Sequence, residues 1–189
     1  MTRVPPPRDL EAPVAVLVRE LAEHLGTGPF VSVCTDLLAG ADREEHLTAL
    51  PYLTGHSFAD GTAARDPRRW PDLWVRTWGA RGLLHVWDDR ATDAVVAGLG
   101  DQEWRPAEMC LKVTARHEVA GAGDGAARLA THDLPRVRAQ AMRALAAVGD
   151  TEHVAAVRAR LDDEHPDVRR AAAQALERLA SRLDLEPPP

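Results

Sequence analysis

The sequence repeats with a step of 31 residues over its C-terminal part. Four dipeptides mark this step: Val75-Arg76, Pro106-Ala107, Val137-Arg138 and Val168-Arg169. Each of them is followed by a stretch rich in small residues. A fixed period of this length is typical of stacked supersecondary units, which bury their apolar faces only against their neighbours. The period therefore predicts a repeat array and not one closed globular core.

Each repeat shows the apolar spacing of two helices. If the first residue of the dipeptide is offset 0, apolar or small residues recur at offsets 0, 4, 7, 8 and 11 of the first, third and fourth repeats, and these offsets share one helical face. A second apolar or small pair, at offsets 20 and 24, indicates a second helix in each complete repeat. Because such a hairpin cannot bury its face alone, the pattern predicts an all-α fold, a right-handed α-solenoid of stacked helical hairpins.

The segment before the array is less regular and is predicted to form an N-terminal helical cap. Apolar spacing predicts a helix from Pro13 to Leu25, a second near Phe30 to Leu38, and a third that starts near Asp42 and stops at Pro51 and Gly55. The chain is accordingly divided into a disordered, proline-rich tail (1–12), a cap with a polar loop over 54–69 (13–69), the array (70–184) and a short tail (185–189).

Composition limits the classes of function. The net charge of −6 and the pI of about 5.7 argue against a dedicated nucleic-acid binder, although a local basic patch is compatible with them. Cys34 and Cys110 are too few for a disulfide framework or a zinc site, and no histidine has metal-ligand spacing, so we expect no metal and no cofactor. The absence of a signal-peptide core or a membrane-spanning stretch predicts a cytoplasmic protein.

The third and fourth repeats resemble a known family. The pattern D-x-P-x-V-R-x-x-A-x-x-A-L occurs from Asp133 to Leu145 and, with Glu at its first position, from Glu164 to Leu176. It is similar to the short HEAT-like repeats of phycobilin lyases and of many bacterial scaffold proteins. The resemblance covers roughly residues 72–182 and departs from the pattern at Pro106-Ala107. The chain as a whole resembles HEAT-repeat proteins of high-GC bacteria, and it has no Ile, no Asn and one lysine.

The resemblance implies a non-enzymatic scaffold that binds a protein partner along the concave helices, those that carry Val-Arg. Their solvent stripe falls at offsets 3, 6 and 10, and none of these twelve positions is acidic. We expect an acidic or phosphorylated segment, or less readily a nucleic-acid backbone, to bind there. The alternative is that this stripe binds no partner and is basic only because the chain is rich in arginine. The candidate contacts are Trp78, Arg81, His85, Met109, Lys112, Arg116, Gln140, Arg143 and Arg178.

Other residues are assigned to structure. The offset-1 arginines, with the aspartates Asp101 and Asp163 at offset 26, are predicted to join neighbouring repeats. Most of the five tryptophans are expected in the core where the cap meets the array, whereas Trp78 is expected to be an exposed contact. The glycine-rich stretch 121–125 is predicted to be a turn between helices.

An enzyme is the second class of function. Asp88 beside Trp87 resembles the acid of bacterial alkylpurine DNA glycosylases, which are built from HEAT-like repeats. The acidic pI and the few repeats count against this reading, and a turn role is preferred for Asp88. The remaining alternatives are a nucleic-acid-binding protein, a lyase-like enzyme subunit and part of a larger complex, for which an exposed apolar end at the fourth repeat (Ala173, Leu179 and Leu183) would be the sign. The oligomeric state is left open.

Overall fold

A computed structural model describes residues 4–184 of the chain. Within these residues all regular structure is helical, and the chain divides into two compact units, residues 1–94 and 95–189, with the boundary inside the fifth α-helix. The ten α-helices are α1 Val14–Leu25, α2 Thr27–Leu38, α3 Leu50–Thr54, α4 Asp72–His85, α5 Thr92–Gly98, α6 Trp104–His117, α7 Gly123–Leu129, α8 Pro135–Val148, α9 Val154–Arg158 and α10 Pro166–Arg182. Four 3-10 turns lie at Arg43–His46, Ala63–Arg65, Asp89–Ala91 and Thr151–His153.

The helices of the predicted cap are present, but the third is shorter than expected. Gly26, with φ of 81°, separates α1 from α2, so α2 begins at Thr27 and not near Phe30. Asp42 accepts a hydrogen bond from the Glu44 N–H and caps a 3-10 turn instead of starting a long helix. The helix proper is confined to α3, which Gly55 ends with a left-handed φ of 74°.

The first predicted repeat helix, α4, belongs to the first unit and packs against α2. Two glycines make this close approach possible. A Cβ on Gly79 would lie 2.5 Å from the Cys34 carbonyl oxygen, and one on Gly82 would lie 2.4 Å from Cys34 Sγ. Cys34 is fully buried, and this burial raises the pKa of its thiol. The compact unit therefore extends beyond the boundary predicted at residue 70.

Residues 4–12 are ordered against the helices, contrary to the predicted disorder. The Tyr52 hydroxyl donates a 2.8 Å hydrogen bond to the Pro5 carbonyl, and the Arg8 N–H donates a 3.1 Å bond to the Glu20 carboxylate. Val4 is buried. Tyr52 and Glu20 are distant in sequence, so the proline-rich composition of the tail did not reveal these partners. Residues 1–3 and the predicted tail 185–189 lie outside the described residues.

The tryptophans of α4 and its approach form a cluster in the first unit. Trp78 is only 2% exposed, with its ring 5.8 Å from Phe58 and 5.5 Å from Trp70. Trp70 also packs edge-on against Trp74 at 5.4 Å. The prediction that Trp78 is an exposed partner contact is therefore wrong. The prediction failed because Phe58, from the polar 54–69 stretch, covers the Trp78 side chain.

The second unit keeps the 31-residue step in three dimensions. Its long helices begin at Trp104, Pro135 and Pro166, and α8 packs against both α6 and α10. The shorter helices α7 and α9 pack against α8 and α10, respectively. Offsets 0, 4, 7 and 8 are buried in all three long helices, as predicted, whereas offset 11 is buried only in α10 and half-buried in α6 and α8. This layered arrangement of hairpins is that of an α-solenoid, and the all-α fold is confirmed.

The glycine-rich stretch 121–125 is a turn only at its start, because Gly123 and Gly125 lie in α7, where they have a packing role. It leads into α7, where a Cβ on Gly123 would lie 2.6 Å from the His153 ring and one on Gly125 would lie 2.7 Å from Leu99. The His153 ring accepts the Asp150 N–H at Nδ1, and its Nε2 lies 3.1 Å from Asp124. The glycines thus allow α7 to approach its neighbours closely.

The described residues contain neither a membrane-spanning helix nor a metal-binding cluster. None of the helices within residues 4–184 is long and apolar enough to cross a membrane. Over the same residues, no group of three or more His, Cys, Asp or Glu side chains is placed to hold a metal ion.

Candidate partner-binding groove of the second unit

A buried ion pair holds the loops of the second unit in place. Arg138, at offset 1 of α8, donates from Nε and Nη2 to the two carboxylate oxygens of Asp163, at 2.9 and 2.8 Å. Its Nη1 donates to the carbonyls of His132 and Asp133 at 3.0 and 2.8 Å. Arg138 therefore bonds the loop before α8 to the loop before α10. The predicted role of this arginine in joining neighbouring repeats is confirmed.

This pair makes the unit sensitive to acid. The hydrogen bond from Arg138 lowers the pKa of the Asp163 carboxyl below its ordinary value of 3.8. As the pH falls, the Asp163 carboxylate is therefore protonated in the unfolded chain before it is protonated in the folded protein. The stability that the charged carboxylate contributes is lost between the pKa of the unfolded chain and the lower pKa of the folded protein. We expect the difference in unfolding free energy between the wild type and Asp163→Asn to shrink below pH 3.8. Urea unfolding at a series of pH values tests this, and a constant difference would contradict it.

A groove runs across the exposed side of the long helices in this unit. It encloses about 590 Å³ between α6, α8 and the start of α10. Its lining consists of Glu108, Lys112, Leu134, Pro135, Arg136, Ala139, Gln140, Arg143, His165 and Asp167. Three of these side chains are always cationic and two are carboxylates, so the groove carries an excess of positive charge although the whole chain is acidic.

A buried carboxylate organises two of the three cations. Glu108 is only 6% exposed and lies at offset 2 of α6. Arg136 donates to both of its oxygens at 2.9 and 3.0 Å, and Lys112 Nζ lies 3.2 Å away, one helical turn on. A carboxylate at this depth requires such cations to compensate its lost hydration. Glu108 therefore fixes the positions of Lys112 and Arg136 at the groove.

An aromatic ring supports the arginine. The Trp104 ring has the guanidinium of Arg105 at 4.5 Å and that of Arg136 at 4.8 Å from its centroid. Planar guanidinium groups stack favourably on indole rings. Arg136 is thus held on one side by Glu108 and on another by Trp104, whose side chain is half-buried.

The third cation is the least restrained. Arg143 is exposed, and its Nη1 donates a 3.2 Å hydrogen bond to the side-chain oxygen of Gln140. Gln140 is a neutral partner that is itself 7% exposed. Its amide turns Arg143 toward the groove without neutralising the charge.

The groove unites only part of the predicted stripe. Lys112, Gln140 and Arg143 line it together. Arg116 and Arg178 are exposed on the same unit but outside the lining, and Met109 is half-buried. Arg81 and His85 belong to the first unit, where both are half-buried and Arg81 donates a long 3.4 Å bond to the Leu53 carbonyl. The role of these residues in binding stays a prediction.

The sequence-based prediction missed three residues: Arg136 and Glu108, which line the groove, and Trp104, which supports Arg136. Arg136 and Glu108 occupy offsets −1 and 2, and Trp104 precedes its repeat by two positions. Extending the helical stripe one turn toward the N-terminus would have included Arg136. Glu108 lies outside the stripe at offsets 3, 6 and 10, one position before offset 3, and it lines the groove.

Asp88 has the environment of a turn residue. Its carboxylate accepts the Arg90 backbone N–H at 3.0 Å and the Arg90 side chain at 2.8 and 3.1 Å, and caps a 3-10 turn. The hydrogen bond from the Arg90 side chain, and after it the bond from the Arg90 backbone, lower the pKa of Asp88 to about 2. A carboxylate with so low a pKa is a weak general base. The geometry supports the turn role over that of a glycosylase acid.

Comparison with known proteins bears on the fold. Two crystal structures of engineered proteins from the Northeast Structural Genomics Consortium are similar to the chain. One has 20% identity and a TM-score of 0.55 over 95% of this chain and 89% of its own. The other has 18% identity and a TM-score of 0.53, with 89% of both chains covered. At such identities the likeness concerns the fold alone. No curated protein matches the chain.

A family model agrees with the repeat structure described above. The model of HEAT repeats matches residues 126–187, which include α8 and α10 and the segments between them. This match coincides with the two repeats in which the residue pattern is strongest. Over residues 126–187 the chain is therefore similar to HEAT repeats.

Proposed function

We propose that this protein is a non-enzymatic scaffold whose groove across α6, α8 and α10 binds an acidic or phosphorylated segment of a protein partner. The observation that carries the proposal is the convergence of Lys112, Arg136 and Arg143 on one cavity of about 590 Å³ in an otherwise acidic chain. A HEAT-repeat array offers a continuous surface that suits such an extended ligand.

Prior organisation of the cations supports this proposal. Glu108, Trp104 and Gln140 each hold one or two of the cationic side chains in place. Immobilising a long side chain on binding costs about 0.5–1.5 kcal/mol, and this cost is reduced where the side chain is already held. The planar fork of an arginine matches the oxygens of a carboxylate or phosphate. Such anions would replace the neutral amide of Gln140 as the partner of Arg143.

Fluorescence anisotropy provides a direct test. The probes are a fluorescein-labelled peptide of alternating Glu and Ser, its phosphoserine form, and a control peptide with Gln in place of Glu. We expect the phosphorylated and acidic peptides to bind, and Arg143→Glu to weaken binding at least about tenfold, equivalent to about 1.4 kcal/mol. Arg143 is exposed with a neutral partner, so this substitution leaves the fold intact.

Arg158→Glu is the matched control. Arg158 is exposed on α9 of the same unit and outside the groove, and its reversal changes the net charge equally. Arg158→Glu should alter the affinity less than about twofold if Arg143→Glu weakens binding locally and not through the net charge. Equal losses in both variants would contradict the proposal. Binding of a labelled DNA duplex in preference to both peptides would favour the nucleic-acid alternative.

A further inference from the structure

The last repeat reproduces half of the arginine bonding seen in the repeat before it. Arg169 lies 31 residues after Arg138, and its Nη1 donates to the Asp163 and Glu164 carbonyls at 2.7 and 3.0 Å. These bonds are the equivalents of those that Arg138 makes to the preceding loop. In Arg138 the remaining edge, Nε and Nη2, binds the Asp163 carboxylate. Among residues 4–184, no carboxylate is bonded to that edge of Arg169.

The outward face of α10 carries a matching acid. Arg169, Ala173 and Glu177 follow one another at four-residue intervals and are all exposed. In the described part of the chain, the Glu177 carboxylate is bonded to no cation. Eight residues of helix separate Arg169 from Glu177 by about 12 Å along the axis, too far for them to pair within one chain. We call these three residues the α10 face.

The equivalent face of α8 is an interface. The residues 31 positions earlier, Arg138, Met142 and Ala146, are buried, and α10 packs on the α8 helix that carries them. The α10 face therefore has the position of a stacking surface, but it carries Glu177 where its counterpart carries Ala146. Its partner must offer a carboxylate to Arg169 and a cation to Glu177.

We propose that the α10 face is a self-complementary surface through which two copies of this chain associate. A two-fold axis through Ala173 brings Arg169 of each copy opposite Glu177 of the other, because both residues lie four positions from Ala173. The small side chain of Ala173 at the axis lets the two helices approach closely. Arg169, Ala173 and Glu177 form a ridge of residues spaced by four, and such ridges pack into one another when two helices cross. A purely acidic partner would leave Glu177 unmatched, which is why a second copy fits better.

The surface is distinct from the groove. None of Arg169, Ala173 and Glu177 lines the groove, so association and peptide binding are separable. A single pair of crossed helices buries less than a standard interface, and we expect a dissociation constant on the order of 10–100 µM. The dimer forms only at high protein concentration.

A charge swap tests the proposal. Sedimentation equilibrium of the full chain, from low micromolar to near-millimolar protein, should show a monomer–dimer equilibrium. Arg169→Glu and Glu177→Arg should each weaken association at least about tenfold, because like charges then face each other. The double variant Arg169→Glu/Glu177→Arg should restore it to within about threefold. Restoration requires contact between copies, since the two residues cannot meet in one chain.

Further variants guard against loss of folding. Ala173→Glu places two like charges at the axis while keeping a good helix former at an exposed position, so it should also abolish the dimer. Arg178→Glu, an equal reversal at an exposed position on a neighbouring face of α10, should leave the equilibrium unchanged. A wild type that stays monomeric throughout overturns the proposal. So does a dimer that the single variants do not weaken, or one that the double swap fails to restore.

Discussion

Gly79→Ala is expected to destabilise the first unit by a net of about 2 kcal/mol. The new Cβ would lie 2.5 Å from the Cys34 carbonyl oxygen and 2.7 Å from the Leu38 nitrogen. Both atoms belong to the backbone of α2, which cannot yield without shifting the helix. Overpacking of this kind typically costs about 1–3 kcal/mol, and backbone contacts lie at the upper end. The cost must exceed the gain of about 1 kcal/mol in helix propensity from Gly to Ala.

Gly28→Ala is the matched control for this substitution. Gly28 is also inside a helix, but its Cβ would meet only the guanidinium of the exposed Arg90, at 2.9 Å or more. That flexible side chain can move, so we expect a change between zero and about 1 kcal/mol of stabilisation. Denaturant unfolding followed by tryptophan fluorescence suits both variants, since Trp70, Trp74, Trp78 and Trp87 report on this unit. Unchanged stability of Gly79→Ala would show that α2 and α4 do not pack this closely.

Arg138→Met is expected to destabilise the second unit by about 3–5 kcal/mol, because it leaves a buried carboxylate without its counter-charge. The Asp163 side chain is 2% exposed. Its next cation, Arg160, lies 3.5 Å away and is held less closely. The carbonyls of His132 and Asp133 would lose their donor as well. Urea unfolding followed by circular dichroism measures the effect without the ionic screening that guanidinium chloride introduces.

A double variant isolates the ion-pair contribution. Arg138→Met/Asp163→Asn removes both charges and keeps an oxygen that can accept the His165 N–H, which is bonded to Asp163 at 3.0 Å. We expect the double variant to be more stable than Arg138→Met alone by at least about 1 kcal/mol, since no uncompensated charge remains. If the two substitutions are simply additive, the buried pair is not what holds these loops together.

The buried positions of the repeats could be predicted because they depend on local periodicity. Val137, Ala141 and Leu145 lie on one side of any helix that contains them, and the structure buries all three. The pairing of Arg138 with Asp163 was also predictable, because both residues recur at fixed offsets from the repeat step. Because the units repeat, a contact between distant residues appears in a single sequence as a recurring spacing.

Contacts outside the repeat pattern could not be predicted in this way. Trp78 lies on the stripe that was expected to be exposed, yet Phe58 covers it from a stretch that has no periodicity of its own. Residues 4–12 were assigned to a disordered tail on composition alone, whereas the Tyr52 hydroxyl holds Pro5. In both cases the deciding partner is remote in the chain and belongs to no repeat.

The amino-acid sequence by itself determined the helical hairpins, their 31-residue step and the apolar faces that stack, because these follow from helix geometry within each repeat. Only the tertiary structure decided which polar side chains meet on the stacked surface. Glu108 and Arg136 are 28 residues apart and sit on different helices. Their bond depends on how far one helix slides and turns against the next. That register is set by the packing of many small side chains together, and no single spacing in the sequence records it.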